Sequence, residues 1–248
     1  MIHLKSKTEI DSLRISNKIV SGILQKLGSE IKPGITTGYL NHLAEQLINE
    51  QGGIPGPPEV GFPGVICVSL NNQVVHGVPG KSVIKMGDIV SLDVTASFNG
   101  YYGDVAATFS VGNISKEAKN LIEATKSALY EGISKAKAGN RLGDISNAIQ
   151  LYVESHGFSV VRDFVGHGIG KSMWEEPQIP NFGAPDRGPR LKNGMVFAIE
   201  PMVNAGDYKV NILDDGWTAV TQDGTLSAHF EHVIAITEDN PEILTFLD

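Results

Sequence analysis

A single cysteine, Cys67, in 248 residues excludes an intramolecular disulfide and fits a reducing compartment. No apolar run reaches the length needed to span a bilayer. The N-terminal stretch Met1-Ile2-His3-Leu4-Lys5-Ser6-Lys7 lacks the apolar core of a secretion signal. Positive charge is scarce as well: 20 Lys and Arg stand against 28 Asp and Glu, a net charge of −8, with no basic cluster. That balance argues against nucleic acid as a direct partner, which needs a basic face. Neither a heptad nor a large apolar stripe calls for a partner subunit. The expectation from these absences is a soluble, cytoplasmic monomer with no membrane association.

Hydrophobic content of 41% and charged content of 19% are ordinary for a globular chain long enough to bury a core without staples. Helical spacing runs from Thr8 to Leu27, with Thr8 as the expected N-cap, and again from Thr37 to Asn49. Ile54 to Gly64 is rich in Pro and Gly and reads as loop. Val65 to His76 alternates about Asn71-Asn72, and a two-residue turn there pairs Leu70 with Gln73 and Cys67 with His76. Asp88 to Phe98 and Tyr101 to Val111 form a second hairpin about Asn99-Gly100, the strongest short turn signal in the chain. Helices follow over Ser115–Lys137 and Asp144–Ser155. The remainder reads as strands at Phe158–Val165, Met195–Val203, Thr218–Thr221 and Leu226–Thr237.

Lys32, Gly34, Gly38 and Gly52 recur at one constant offset as Lys137, Gly139, Gly143 and Gly157. Helix, glycine break, helix and strands thus come twice. We expect an α+β chain forming one domain over residues 1–248, built from two related halves of about 1–112 and 113–248, with strands of both meeting in a central sheet.

Chemistry concentrates on a few strand and loop positions. With Asn99-Gly100 as a two-residue turn, Asp93 falls opposite Ala106, and Asp104 becomes its same-face diagonal neighbour roughly 7–8 Å away. Two carboxylates on one buried face repel unless a cation lies between them; a turn one residue longer would separate the faces. Glu200 interrupts the apolar run Val196–Val203, and Glu231 is a similar anomaly in His229–Ile236. Any one of these could be an outward-facing residue on a half-exposed strand. His167 lies in the glycine-rich Val165-Gly166-His167-Gly168-Ile169-Gly170. Four carboxylates and one imidazole without thiolates are too many ligands for one structural zinc and suit two harder divalent ions that activate a water. Among the other histidines, His3, His42 and His156 read as solvated. His229 and His232 flank Glu231 and are assigned to the opposite face. His76, before a glycine at a strand end, is a candidate proton donor.

These residues resemble the type I methionine aminopeptidases, members of the pita-bread family of dinuclear metallohydrolases. The resemblance runs over nearly the whole chain. It is carried by Ser69-Leu70-Asn71-Asn72-Gln73-Val74-Val75-His76-Gly77, Leu92-Asp93-Val94, Gly103-Asp104, Gly166-His167-Gly168-Ile169-Gly170, Glu175-Glu176-Pro177, Ile199-Glu200-Pro201-Met202, Gly216-Trp217-Thr218 and Phe230-Glu231-His232. It implies a pseudo-two-fold pita-bread fold, a central antiparallel sheet flanked by helices. It also implies two divalent ions, of Mn, Fe, Co or Zn. Asp93 would bind one ion, His167 and Glu200 the other, and Asp104 and Glu231 would bridge. Water activated between them would attack the first peptide bond, Glu200 would move the proton, and His76 would hydrogen-bond the scissile amide. Phe62, Cys67 and Trp217 would wall a pocket for an unbranched thioether side chain. The implied partners are peptides and nascent chains beginning with Met, met at the ribosome.

Two positions depart from the family pattern. Glu59 stands where a tyrosine is usual. Trp174 replaces a histidine that contacts the substrate carbonyl, and an indole donates a hydrogen bond but cannot shuttle a proton. An active enzyme therefore competes with two alternatives: a weakened paralogue that binds metal and peptide N-termini, and a related aminopeptidase with altered specificity.

Overall fold

The computed structural model describes residues 2–245. The first helix, α1 (Lys7–Glu30), starts one residue earlier than the periodicity suggests, because Ser6 rather than Thr8 caps it. The Ser6 hydroxyl accepts the Glu9 N–H and the Glu9 carboxylate accepts the Ser6 N–H, a reciprocal capping box. Thr36 caps α2 (Thr37–Glu50) singly, its hydroxyl accepting the Tyr39 N–H. The Pro/Gly-rich stretch is not all loop: it holds a two-residue strand, β1 (Ile54–Pro55), and a 3-10 turn at Pro57–Val60.

Four strands follow, β2 (Cys67–Leu70), β3 (Gln73–Val75), β4 (Ile89–Phe98) and β5 (Tyr101–Ser110), then helices α3 (Lys116–Lys135) and α4 (Leu142–Ser155). The rest is short strands: β6 (Ser159–Val160), β7 (Gly166–Gly168), β8 (Glu175–Ile179), β9 (Val196–Ile199), β10 (Met202–Asn204) and β11 (Val210–Ile212). The last are β12 (Ala219–Thr221), β13 (Ser227–His229), β14 (Glu231–Ala235) and β15 (Glu242–Ile243).

The main sheet is antiparallel, in the order β1-β4-β5-β14-β9-β7-β8, with β2 also on β4 and β15 also on β14. Its two central partners, β5 and β14, lie more than 120 residues apart in the sequence. Asn99 and Gly100 both have positive φ, 52° and 80°, so the turn sets the register Phe98↔Tyr101 and carries it to Asp93↔Ala106 and Thr95↔Asp104, as the sequence predicts. The Asn71-Asn72 turn behaves differently. Leu70 N–H bonds the Gln73 side chain, but β2 pairs with β4 and β3 with β12, in separate sheets. Cys67 lies opposite Asp93 on one edge of β2; on the other edge the Val68 N–H bonds the Gly77 carbonyl oxygen, so the arms still run side by side but without a Cys67–His76 ladder pair.

Apolar strand faces are covered by helices. Val20, Leu24 and Leu27 of α1 and Leu40 and Ile48 of α2 pack on Val90, Leu92 and Val94. Leu121 and Leu129 of α3 and Ile145 and Ile149 of α4 share a core with Phe197, Ile199 and Ile234. α1 comes so close to β5 that a Cβ at Gly103 would stand 2.6 Å from the Ser16 carbonyl oxygen. Local geometry recurs at the paired positions of the sequence repeat. Gly34 and Gly139 have φ of 96° and 95°, and Gly52 and Gly157 of 70° and 80°. Thr36 and Arg141, the matching N-caps, each form an isolated antiparallel bridge, to Val83 and Arg190.

Candidate active site

Directly opposed residues on paired strands project from one face, as do residues two apart along a strand. Cys67, Asp93, Ala106 and Glu231 form one such row across β2, β4, β5 and β14. Asp104 shares the face two residues from Ala106. Val233, two residues beyond Glu231, lies opposite Ala198, which lies opposite His167. Glu200 follows Ala198 by two, at the end of β9. Residues spread over 165 positions of sequence are thereby put on one side of one sheet, over a cavity of about 550 Å³. All ten residues expected at the site border that cavity: Phe62, Cys67, His76, Asp93, Asp104, His167, Trp174, Glu200, Trp217 and Glu231.

At the acidic end, one ligand atom from each of Asp104, His167 and Glu231 falls within 4.8 Å of the others. His167 Nε2 is 3.4 Å from Glu200 Oε1 and 3.8 Å from Asp104 Oδ2. The other ring nitrogen, Nδ1, is 2.9 Å from the Gly168 carbonyl oxygen. A carbonyl only accepts, so Nδ1 carries the proton, and in the neutral ring Nε2 presents a lone pair. Thr95 donates to Asp104 Oδ1 at 2.7 Å, while buried Glu231 Oε1 has no partner among the described residues. Lone pairs thus face lone pairs.

Burial raises the carboxyl pKa values accordingly. Asp93 is raised, and Asp104 and Glu231 go well above the carboxylate range, each primarily by burial. The neighbouring carboxylates push the latter two further. Glu200 is pushed up to about 8 by burial, with His167 opposing and Asp93 reinforcing. A cation is the species that turns such an acceptor cluster from repulsive to attractive. Carboxylate oxygens with one imidazole fit divalent Mn, Fe, Co or Zn, and Asp93, Asp104, His167, Glu200 and Glu231 are the residues that could hold them.

The opposite wall is apolar. Phe62 and Trp217 meet edge to face with ring centroids 5.4 Å apart. Cys67, buried against the acidic row, has its thiol pKa raised by burial and by Asp93, so it stays protonated. His76 has φ of 56° and sets its ring edge-on to Phe164 at 5.3 Å. Burial lowers its pKa to about 4, with His229 adding to the effect, so the ring is neutral and able to donate.

Trp174 stands at the mouth, 55% exposed, in the loop that joins β7, the strand of His167, to β8. The loop is anchored from behind by its neighbour Glu175, which pairs with the buried Lys5 ammonium and accepts the N–H of Lys171 and Ser172. At Glu59, the position of the second departure, the carboxylate accepts the Tyr102 hydroxyl.

Besides Thr95 and Phe164, three residues that bear on this site escape the sequence reading. Met173 lines the cavity beside Trp174, and Lys5 braces the loop. The third, His229, is a correction: it is not on the face away from Glu231. It is 2% exposed, with Nε2 3.7 Å from Glu200 Oε2. Residues 229 and 231 have the same strand parity, and that signal was available. His232 does face away, bonded to Tyr130 at 3.1 Å and Thr245 at 2.7 Å.

Comparison with known proteins bears on the family and the fold. Residues 11–238 match the model of metallopeptidase family M24. The chain is 54% identical to a methionine aminopeptidase of Clostridium perfringens over the full length of both, and 53% identical to methionine aminopeptidase 1 of Bacillus subtilis over 99% of both. The crystal structure of a methionine aminopeptidase from Thermotoga maritima superposes with a TM-score of 0.98 at 45% identity, covering both chains completely. That likeness makes the present fold, two helix pairs around a central antiparallel sheet, an α+β pita-bread fold.

Proposed function

The chain belongs to metallopeptidase family M24, among its methionine aminopeptidases, and from that premise we propose that it removes N-terminal methionine from peptides and nascent proteins with two divalent ions held by Asp93, Asp104, His167, Glu200 and Glu231. The observation that carries this reading is the junction of an acceptor-only cluster with an apolar wall inside one cavity. When bound, divalent ions supply an activated water and polarise the substrate carbonyl.

The chain's own residues do the rest. Phe62, Cys67 and Trp217 hold the unbranched side chain and exclude water around it, which fixes the first peptide bond over the acidic end. Glu200 takes up the proton of the attacking water and returns it to the leaving amine, a role open to a carboxylate held 3.4 Å from His167 Nε2 at the acidic end of the cavity. His76, neutral at working pH, donates its N–H to the scissile amide as charge builds there. Mn, Fe, Co and Zn all suit the donor set, and the ion available in the cell decides among them. We place the enzyme in the cytoplasm as a monomer meeting chains at the ribosome, and read its architecture as one domain of two related halves, which the matched glycines and N-caps support.

One observation favours a second reading, a weakened relative that still binds metal and peptide N-termini: Trp174 occupies the mouth with a side chain that cannot exchange protons. Release of methionine from Met-Ala-Ser and Met-Gly-Met-Met after loading with each of the four ions separates the two. Turnover with at least one ion is expected. Stoichiometric metal uptake without turnover under any of them would refute the enzyme reading.

A further inference from the structure

The Glu200 carboxylate lies between two imidazoles. Its Oε1 is 3.4 Å from His167 Nε2 and its Oε2 is 3.7 Å from His229 Nε2. The two rings are not equivalent. His167 commits its proton at Nδ1 to the Gly168 carbonyl, so its Nε2 has none to give Glu200 in the neutral ring. His229 Nε2 is buried and has no hydrogen-bond partner among the described residues. A buried ring nitrogen left in that state needs a reason.

The backbone that carries His229 is pinned. Its N–H donates to Thr108 Oγ1 at 2.9 Å, and the same hydroxyl donates to the His229 carbonyl oxygen at 2.9 Å. Ser91 reaches Thr108 in turn at 2.8 Å. β13 also fixes His229 opposite Met202, directly after the Glu200-Pro201 step. The ring is therefore held beside Glu200 from two strands while its own polar atom is left free.

Building on the metal site proposed above, we infer that His229 is a positioning residue for Glu200, its Nε2–H facing Oε2 and keeping Oε1 turned toward the ligand cluster. The Nε2 proton is present in one neutral tautomer and in the cation, so the role requires no change of charge. Loss of a partner of this kind, which orients a metal-binding carboxylate from outside, weakens metal affinity while leaving the ligands in place.

The test is calorimetric titration of Mn²⁺ into the chelator-stripped full chain, with His229→Phe removing the donor and His229→Gln restoring one. The phenylalanine variant should bind Mn²⁺ about 10–100-fold more weakly, and the glutamine variant should return to within about threefold of the unaltered protein. The metal-free phenylalanine variant should melt no lower than the unaltered protein, because an unpaired buried polar group has been removed. If phenylalanine overpacks the site, His229→Leu serves the same comparison. Unchanged Mn²⁺ affinity in the apolar variant would overturn the inference. So would equal weakening in the glutamine variant, which would make ring shape rather than the donor responsible. Failure of the unaltered protein to take up Mn²⁺ would instead sink the metal site itself, and this role with it.

Discussion

Removing the metal should give the protein a pH dependence opposite to that of most acid-sensitive folds. Glu200, Asp104 and Glu231 all have folded pKa values above their unfolded ones, so the folded state holds protons the unfolded state has released. Stability then falls as pH rises between the two values, because the unfolded chain binds fewer protons. The buried histidines act in the other direction. His76 and His232 are lowered to about 4 and His229 is lowered too, chiefly by burial, so their contribution grows as pH rises toward the unfolded value of 6.5 and is then complete. Below pH 6.5 the two sets oppose each other; above it the carboxyls act alone.

The window is therefore pH 6.5 to 8. Over it, Glu200 alone, with its folded pKa near 8, loses about 2 kcal/mol at 1.36 kcal/mol per unit. For a domain of this size that corresponds to a fall of roughly 4–8 °C in melting temperature, with Asp104 and Glu231 adding in the same direction. Calorimetric or fluorescence melts of chelator-stripped protein at pH 6.5, 7.2 and 8.0, beside the Mn²⁺-loaded protein, read this directly. In the loaded protein the ligands are ionised in the folded state and the slope should vanish, so the gap between the curves widens with pH. A stripped protein whose melting temperature stays level or rises over this interval would refute the reasoning.

Trp174→His should raise kcat/KM on Met-Ala-Ser by at least about tenfold, one restored hydrogen bond to the substrate; an unchanged or lower rate would identify the tryptophan as an adapted part of this site. Gly103→Ala should cost about 1–3 kcal/mol in urea unfolding, because the new methyl meets the Ser16 carbonyl and forces α1 off the sheet. Cys67 should resist thiol reagents at pH 7.5 in the folded protein and react on unfolding; fast labelling of the native state would contradict its burial beside the carboxylates. Lys5→Met should destabilise by about 3 kcal/mol, since it strands the Glu175 carboxylate, and should raise KM more than it lowers kcat if the loop bearing Trp174 loosens.

Much of the site was legible because its signals are local. Asn99-Gly100 fixes one turn type, that turn fixes the register, and the register puts Asp93 and Asp104 on one face. Glu200 and Glu231 stood out as single charges in apolar runs. Cys67 was misplaced because a turn at Asn71 specifies only that the chain reverses. Which partner each arm then pairs with is decided by distant strands, here β4 and β12. Lys5 could not be read at all: its partner Glu175 is 170 residues away, and nothing near Lys5 marks it as buried.

His229 has the parity of Glu231, so its face was legible; the place where these side chains gather was not, because it depends on how the strands divide. Met195–Val203 and Leu226–Thr237 each look like one long strand, but each is two. β9 and β14 pair in the main sheet, while their continuations β10 and β13 pair in a separate three-stranded sheet. Both breaks occur at one level, at Glu200-Pro201 in one segment and Phe230 in the other, where Pro201 has no N–H to continue a ladder. Where paired strands part company, side chains flanking the break are released from the flat array of a single sheet face and can converge. Glu200, His229 and Glu231 are the side chains at that fork, and Asp93, Asp104 and His167 come to it across the main sheet. Two apolar strands that switch sheets together give a rigid frame with an opening at its centre. Buried carboxylates are costly on a continuous sheet, and at this opening they can gather around a cation.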